Sequence, residues 1–198
     1  KNRAIVSELR PSGRTCTDGA RASTMGRVDG PSRRDLSMVP RHSELSRVSK
    51  LHWEDFVPGQ VNEYGPRRVT RDEIVEFARE FDPQPFHLDE EAAKQTMFGG
   101  LAASGWHTCC LFMRMIADGF VNNSASMGAP GVDDVKWLMP VRPGDDLRLR
   151  ATVLETRASK SRPEMGFVKF KFEMLNASGA VVMILESSLM QRRREASA

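Results

Sequence analysis

The sequence predicts an α+β fold in which a curved antiparallel sheet wraps around one long central helix. Residues 101–120 are apolar around most of a helical circumference, and a helix of this kind is usually buried. Four strand-like runs follow it, and in residues 166–175 apolar side chains alternate with lysine and glutamate. A period of two is typical of a sheet with one buried face. A curved sheet packed around the helix accounts for both patterns.

The chain divides into two parts near residue 50. Residues 1–50 are rich in Arg, Ser, Gly and Pro, and their sparse apolar residues show no periodicity, so they cannot bury enough surface to offset the entropy of ordering. They contain 11 Lys and Arg against 5 Asp and Glu, whereas residues 51–198 contain 18 against 21. We therefore predict a disordered basic extension over residues 1–50 and a single domain over residues 51–198.

Composition argues against several classes of protein. No apolar run reaches the roughly 18 residues of a membrane span without a charged residue, so no membrane partner is expected. No basic motif interleaved with aromatic residues indicates binding to nucleic acid. Two of the three cysteines, Cys109 and Cys110, are adjacent, and none has metal-binding spacing. Free cysteines indicate a reducing compartment, and we expect a cytoplasmic location.

The first elements of the domain are a strand and an amphipathic helix. A strand is predicted over residues 61–69. Thr70 and Glu73 form a capping box that predicts a helix over residues 71–81, with its apolar residues on one face. This helix must end just before Pro83, because proline disfavours helical geometry in the residue that precedes it.

The remaining elements complete the order of the fold. Asp89 caps a second short helix, Gly99-Gly100 breaks the chain, and the long helix covers residues 101–120. Four strands in a meander are then predicted over residues 132–139, 146–155, 166–175 and 180–191. This order is typical of the hot-dog fold. A ferredoxin-like sandwich is the main alternative, but it expects its two helices to be separated by strands.

The loop between the first two helices carries the first candidate site residues. Pro83 and Pro85 stiffen it into a mostly extended shape. Between them and just beside them lie a carboxylate, an amide and an imidazole, at Asp82, Gln84 and His87. A stiff loop that displays acid and base groups is a plausible site. Two structural roles remain open, since Asp82 could end the helix and His87 could hydrogen-bond its own loop.

A run of small residues opens the long helix. Residues 102–105, with the sequence AASG, would let a ligand approach the first helical turn closely. Helix N-termini carry free N–H groups and partial positive charge, which suits a developing oxyanion. The alternative is that these small residues only let the helix pack against the sheet.

Residues 53–190 resemble the MaoC-like dehydratases, the family of (R)-specific enoyl-CoA hydratases. The positions that match the family pattern are Asp82, Gln84-Pro85, His87, Asp89 with Ala93, and Ser104-Gly105. Residues 140–147, with the sequence PVRPGDDL, resemble the turn that leads into the family's strands. Three positions differ: Gln84 replaces asparagine, Ser104 replaces histidine, and Met113 lies near the position of a small hydroxyl residue.

The resemblance implies a lyase of fatty acid metabolism that adds water reversibly to a 2-enoyl-CoA. Asp82 and His87 would hold the water and move the protons, and the Gly105 N–H would receive the thioester oxygen. The other substrate-binding candidates are Ser104, Gln84 and Trp106. Trp106 is also a candidate core residue.

The resemblance also implies the partners of the chain. It implies an acyl thioester, carried on coenzyme A or on a carrier protein, with no metal and no other cofactor. A homodimer is expected, since hot-dog domains generally bury their sheet edges and complete their sites across a dimer. His107 is a candidate for the wall of the site. Basic candidates for binding the phosphates are Lys136, Arg142, Lys160 and Arg162.

Two other functions remain open. A thioesterase on the same fold would use a carboxylate to activate water against the carbonyl, although the spacing of Asp82 and His87 favours hydration. The other function is a non-catalytic hot-dog subunit that binds acyl groups. The departures at Ser104 and Met113 favour this one.

Overall fold

A computed structural model describes residues 50–194, so the extension predicted for residues 1–50 lies outside the described residues except for Lys50. The elements in chain order are β1 (Val61–Arg68), α1 (Arg71–Phe81), α2 (Pro85–Leu88), α3 (Glu90–Lys94), α4 (Gly105–Gly119), β2 (Val132–Trp137), β3 (Asp146–Ala158), β4 (Met165–Leu175) and β5 (Val181–Arg192). No helix within residues 50–194 combines the length and the apolar character needed to cross a membrane.

The five strands form one antiparallel sheet that packs against α4. Their order is β1-β3-β4-β5-β2. Phe112 of α4 meets the Phe172 ring of β4 with 4.9 Å between centroids, and Phe172 stacks on Phe170 at 5.1 Å. Buried aromatic pairs contribute about 0.5–1.5 kcal/mol each beyond the area they bury. The predicted architecture, one antiparallel sheet covering one long helix, is confirmed.

The predicted meander is correct for only three of its four strands. β3, β4 and β5 are consecutive neighbours, but β2 pairs with β5 at the far edge of the sheet. The reason is that β1 already occupies the outer edge of β3, from Val61 opposite Thr152 to Arg68 opposite Asp146. β2 pairs with the free edge of β5 instead, at the opposite side of the sheet from β1.

The helix predicted over residues 101–120 begins later and is less buried than expected. Residues 101–104 are not helical, and the Ala103 N–H donates to the Val141 carbonyl at 2.8 Å instead of forming a helical turn. Ser104 is the N-cap of α4. Trp106 and Met113 are 63% and 49% exposed, so one stripe of α4 faces outward. The prediction of a helix buried nearly all round was therefore wrong.

The loop after α1 also differs from the prediction. The helix ends at Phe81 as predicted, and the capping box of Thr70 and Glu73 is present. The expected extended shape is limited to the segment around Gln84, because Pro85–Leu88 forms one helical turn. Proline fits the first position of a helix, where its missing N–H has no helical acceptor. This turn decides where the His87 ring points.

The contact between Gly166 and Trp53 allows a test of this packing. The indole of Trp53 lies against Gly166, and its Nε1–H donates to the Phe167 carbonyl at 3.2 Å. A methyl group at Gly166 would overlap the indole ring. We expect Gly166→Ala to lower the free energy of unfolding by about 1–3 kcal/mol, as overpacked cores do, in urea denaturation followed by circular dichroism.

Gly131→Ala is the matched control. A Cβ atom at Gly131 would meet no heavy atom within 4 Å, so this variant should unfold close to the wild-type midpoint. Equal midpoints for the two alanine variants would contradict the packing argument.

Candidate active site

Three short segments meet at the entry to α4. Asp82 is the C-cap of α1, His87 lies in α2, and Ser104 is the N-cap of α4. Pro83 ends α1, and Pro85 starts α2 at once, so the carboxylate and the imidazole are held close together by local backbone constraints. The chain then passes through α3 and returns Ser104 to the same place. The sequence placed Asp82 and His87 in one loop and Ser104 in a separate run of small residues, and the fold brings the three together.

The orientation of the His87 ring follows from one hydrogen bond. Its Nδ1 lies 2.8 Å from the Ala102 carbonyl oxygen. A carbonyl can only accept, so Nδ1 carries the proton and Nε2 is the nitrogen left for chemistry. Nε2 faces Asp82 Oδ2 at 3.5 Å, and the His87 residue is only 5% exposed. A water bound beside this pair can therefore form hydrogen bonds with both groups.

Asp82 is held as a carboxylate by two donors. The Ser104 hydroxyl donates to its Oδ2 at 2.6 Å, and the Gln84 amide donates to its Oδ1 at 2.7 Å. Burial raises the pKa of Asp82, but the hydrogen bonds from Ser104 and Gln84, with the nearby His87, outweigh it and leave the pKa below its ordinary value of 3.8. Asp82 is therefore ionised at neutral pH and accepts hydrogen bonds.

Ser104 contacts the carboxylate and not the mouth of a substrate groove. Its side chain is 1% exposed, donates to Asp82 and accepts from the Trp106 N–H at 3.2 Å. The sequence suggested a role in oxyanion or substrate binding. In the structure its hydroxyl bonds to the Asp82 carboxylate and to the first turn of α4 at once, since a hydroxyl group can both donate and accept.

A cavity of about 330 Å³ opens beside His87. Gly105 forms part of its wall, and a Cβ atom there would lie 2.6 Å from the Trp137 ring, so only glycine fits. No described residue accepts a hydrogen bond from the Gly105 N–H, which lies in the first turn of α4. The lining is mostly apolar and comprises His87, Met97, Phe98, Ala103, Gly105, Thr108, Trp137, Leu138, Met139, Pro140, Val141 and Arg142.

Sequence reasoning missed most of the cavity lining, including two residues that contact the start of α4, Thr108 and Trp137. Thr108 is 3% exposed, and its hydroxyl donates to the Ser104 carbonyl at 3.2 Å. Its position three residues after Gly105 on one helix face was the available signal. Trp137 covers Gly105 from the end of β2, and no sequence signal pointed to this, because β2 was expected elsewhere in the sheet.

Several predicted residues lie away from the cavity. Trp106 is mostly exposed and is therefore not a core residue, although its ring meets that of Trp137 at 5.6 Å. His107 stacks on Phe77 at 4.8 Å in a separate cleft between α1 and α4, so it does not form the wall of the site. Burial lowers the pKa of His107, and the opposing effect of Glu73 is smaller.

Of the four basic candidates, only Arg142 lines the cavity. Lys136 pairs with Asp134 at 2.7 Å on β2. Lys160 and Arg162 lie in the connection between β3 and β4 and line none of the cavity. Met113 is exposed on the outer stripe of α4 and does not contact the Asp82 carboxylate within the chain.

Comparisons with known proteins identify the family and the fold. The family model described as MaoC like domain matches residues 55–169. The crystal structure of the MaoC-like dehydratase from Rhodospirillum rubrum is 42% identical, with a TM-score of 0.69, and the match covers 74% of this chain and 99% of that chain. The uncharacterized protein YdeM of Bacillus subtilis (strain 168) is 30% identical over 141 residues, which are 71% of this chain and 98% of YdeM.

A more distant solved structure shares the fold. The R-hydratase PhaJ1 from Pseudomonas aeruginosa is 23% identical, with a TM-score of 0.59, over 75% of this chain and 93% of that chain. The predicted hot-dog fold is confirmed by these structures.

Replacing Ser104 with alanine should raise the pKa of Asp82, because one of the two hydrogen bonds that lower it is lost. A carboxylate whose pKa is lower in the folded state stabilises the fold above its unfolded value near pH 4, and this contribution is lost as pH falls through the folded pKa. The variant should therefore lose less stability on acidification than the wild type. Carboxyl 13C NMR titration measures the pKa directly.

Ser178→Ala is the control, since that hydroxyl donates to Asn176 in the turn between β4 and β5, at 2.7 Å. It should leave the Asp82 titration unchanged. An Asp82 pKa that stays at its wild-type value in Ser104→Ala would contradict the role of Ser104.

Proposed function

Because this chain belongs to the family of MaoC-like domains, we propose that it adds water reversibly to the carbon–carbon double bond of a 2-enoyl thioester. The observation that carries the proposal is the pairing of Asp82 Oδ2 with His87 Nε2 at 3.5 Å beside a mostly apolar cavity. The relative from Rhodospirillum rubrum, named a MaoC-like dehydratase, supports the same class of reaction.

Asp82 and His87 hold the water and move its protons. The water oxygen bonds to C3 of the enoyl group, and the π bond between C2 and C3 breaks. One proton passes from the water to the Asp82–His87 pair, and the pair delivers a proton to C2. His87 suits this transfer because its Nδ1 stays bonded to Ala102 while Nε2 gains and returns a proton. Positioned acid and base groups typically contribute about 10²–10⁴-fold in rate.

The Gly105 N–H stabilises the negative charge that develops on the thioester oxygen. This N–H lies in the first turn of a 15-residue helix, where the helix dipole adds partial positive charge. It lines the same cavity as His87 and is not hydrogen-bonded to any described residue. A preorganised oxyanion donor contributes about 10²–10³-fold.

The substrate is an acyl thioester carried on coenzyme A or on a carrier protein. The apolar lining of the cavity suits an acyl chain or the pantetheine arm. A thioesterase would direct the same water at the carbonyl carbon, and a binding subunit would turn over neither bond. Both alternatives are outcomes of the experiment that follows.

Incubation with crotonyl-CoA distinguishes the three functions. Loss of the enoyl absorbance without release of free thiol indicates hydration, whereas thiol release indicates hydrolysis, and neither signal is expected from a binding subunit. The exposed thiol of Cys110 requires an enzyme-only blank in the thiol assay. We expect hydration, and Asp82→Asn should lower kcat/KM by about 10²–10⁴-fold, because a neutral amide can neither balance the positive charge that His87 gains with the proton nor hold the water as a carboxylate does.

Asp72→Asn is the matched control. This carboxylate lies in the first turn of α1, and its side chain is 97% exposed, so activity should stay at the wild-type level. Circular dichroism of both variants checks the fold. A folded Asp82→Asn protein with full hydratase activity would overturn the assignment.

We also propose that the chain acts as a homodimer. Apolar side chains are exposed on α4, on β2 and just after it, at Trp106, Met113, Val132, Trp137, Leu138 and Met139. β2 is also an edge strand with unpaired backbone groups. A continuous apolar stripe beside a free strand edge is typical of an interface.

Met113→Glu should weaken the dimer, because the charge would be buried in the interface without a partner. Size-exclusion chromatography with light scattering should show a shift toward the monomer. Leu154→Glu, at a 41% exposed position on β3, is the matched control and should remain dimeric. Dimers of equal stability in both variants would place the interface elsewhere.

A further inference from the structure

We propose that Arg142 is a positioning residue that fixes the His87 imidazole in its working orientation. This inference rests on the proposed function, since it concerns the proton-transferring nitrogen of that site. Arg142 touches neither Asp82 nor His87 through a hydrogen bond; it acts through the backbone that precedes α4.

The guanidinium of Arg142 bridges two backbone carbonyls. One terminal nitrogen donates to the Leu101 carbonyl at 3.4 Å, and the other donates to the Phe98 carbonyl. Arg142 is itself held, because its backbone N–H donates to Asp145 Oδ2 at 2.8 Å. Hydrogen bonds of Arg142 therefore connect the segment of residues 98–101, before α4, to the turn that leads into β3.

Both carbonyls lie next to groups that contact His87. The Leu101 carbonyl is part of the peptide group joined to Ala102, and the Ala102 oxygen accepts the Nδ1 hydrogen bond of the imidazole. The Phe98 ring lies 6.1 Å from the His87 ring and 5.2 Å from the Phe86 ring. One side chain thus holds the peptide group next to the Ala102 acceptor and the backbone of Phe98, whose ring packs beside the imidazole.

The geometry requires arginine. Arg142 forms no ion pair within 4.0 Å in residues 50–194, so the carbonyls are its partners. A planar guanidinium presents fixed donors in two directions and can hold both carbonyls at once, whereas a lysine ammonium is a single compact charge on a flexible stem. Arg142→Lys should therefore fail to restore function although it keeps the charge.

Two measurements on the full-length chain test this role. The test variants are Arg142→Gln and Arg142→Lys, and the control is Arg148→Lys, at an exposed position. The first is long-range 1H–15N NMR of the histidine rings at alkaline pH, with His87 assigned by a His87→Gln variant. We expect the wild type and Arg148→Lys to show a single Nδ1–H tautomer, and both Arg142 variants to show a mixture.

The second readout is turnover of crotonyl-CoA and of crotonyl-pantetheine, which lacks the nucleotide phosphates. Misplacement of a catalytic group by about 1 Å costs on the order of 100-fold, so kcat should fall about 10- to 100-fold in both Arg142 variants, equally on both substrates, with little change in KM.

A rise in KM confined to the coenzyme A thioester, with an unchanged His87 tautomer, would overturn the proposal and make Arg142 a phosphate-binding residue. An unchanged kcat and tautomer would also overturn it. If Arg142→Gln fails to fold, Arg142→Lys carries both readouts. The NMR readout needs no turnover, so it tests the role of Arg142 even if the wild type proves inactive on enoyl thioesters.

Discussion

The hydrogen bond from His87 Nδ1 to the Ala102 carbonyl connects the local geometry of α2 with the start of α4. It is possible because residues 101–104 are not helical and leave the Ala102 oxygen free of helical hydrogen bonds. If α4 began at Leu101, that oxygen would be an acceptor inside the helix. The late start of the helix therefore orients the imidazole, frees the Gly105 N–H and places Ser104 against Asp82.

Asp82 and His87 have different chemical roles because they have different hydrogen-bond partners. Asp82 receives two strong donors, which lower its pKa although it is partly buried. His87 is more deeply buried, and among residues 50–194 its imidazole is hydrogen-bonded only to a neutral carbonyl. One group is thereby kept charged and acts as an acceptor, and the other keeps one nitrogen free to exchange a proton. The single hydroxyl of Ser104 connects the carboxylate with the first turn of α4.

The central helix has two different faces. Its inner face packs Phe112 against the aromatic residues of β4, as the sheet requires. Its outer stripe meets the edge strand β2, because the Trp106 ring contacts the Trp137 ring and Met113 lines one cavity with Val132. The same helix thus contributes to the core, to one wall of the cavity and to the surface that we assign to a dimer. Apolar residues serve the core, the cavity wall and the proposed dimer surface, so they surround most of the helix. This is why the sequence pattern predicted a fully buried helix.

The sequence by itself determined the local elements. The capping box of Thr70 and Glu73 and the stop before Pro83 set both ends of α1, and alternation set the buried face of β4, because these signals act between neighbouring residues. The sequence also indicated Asp82 and His87 as the candidate acid/base pair. Tertiary structure alone decided that β2 joins β5, that α4 starts at Gly105, that Ser104 bonds to Asp82 and that Arg142 reaches the Phe98 and Leu101 carbonyls. Each of these depends on contacts between residues distant in the chain, which no local pattern records.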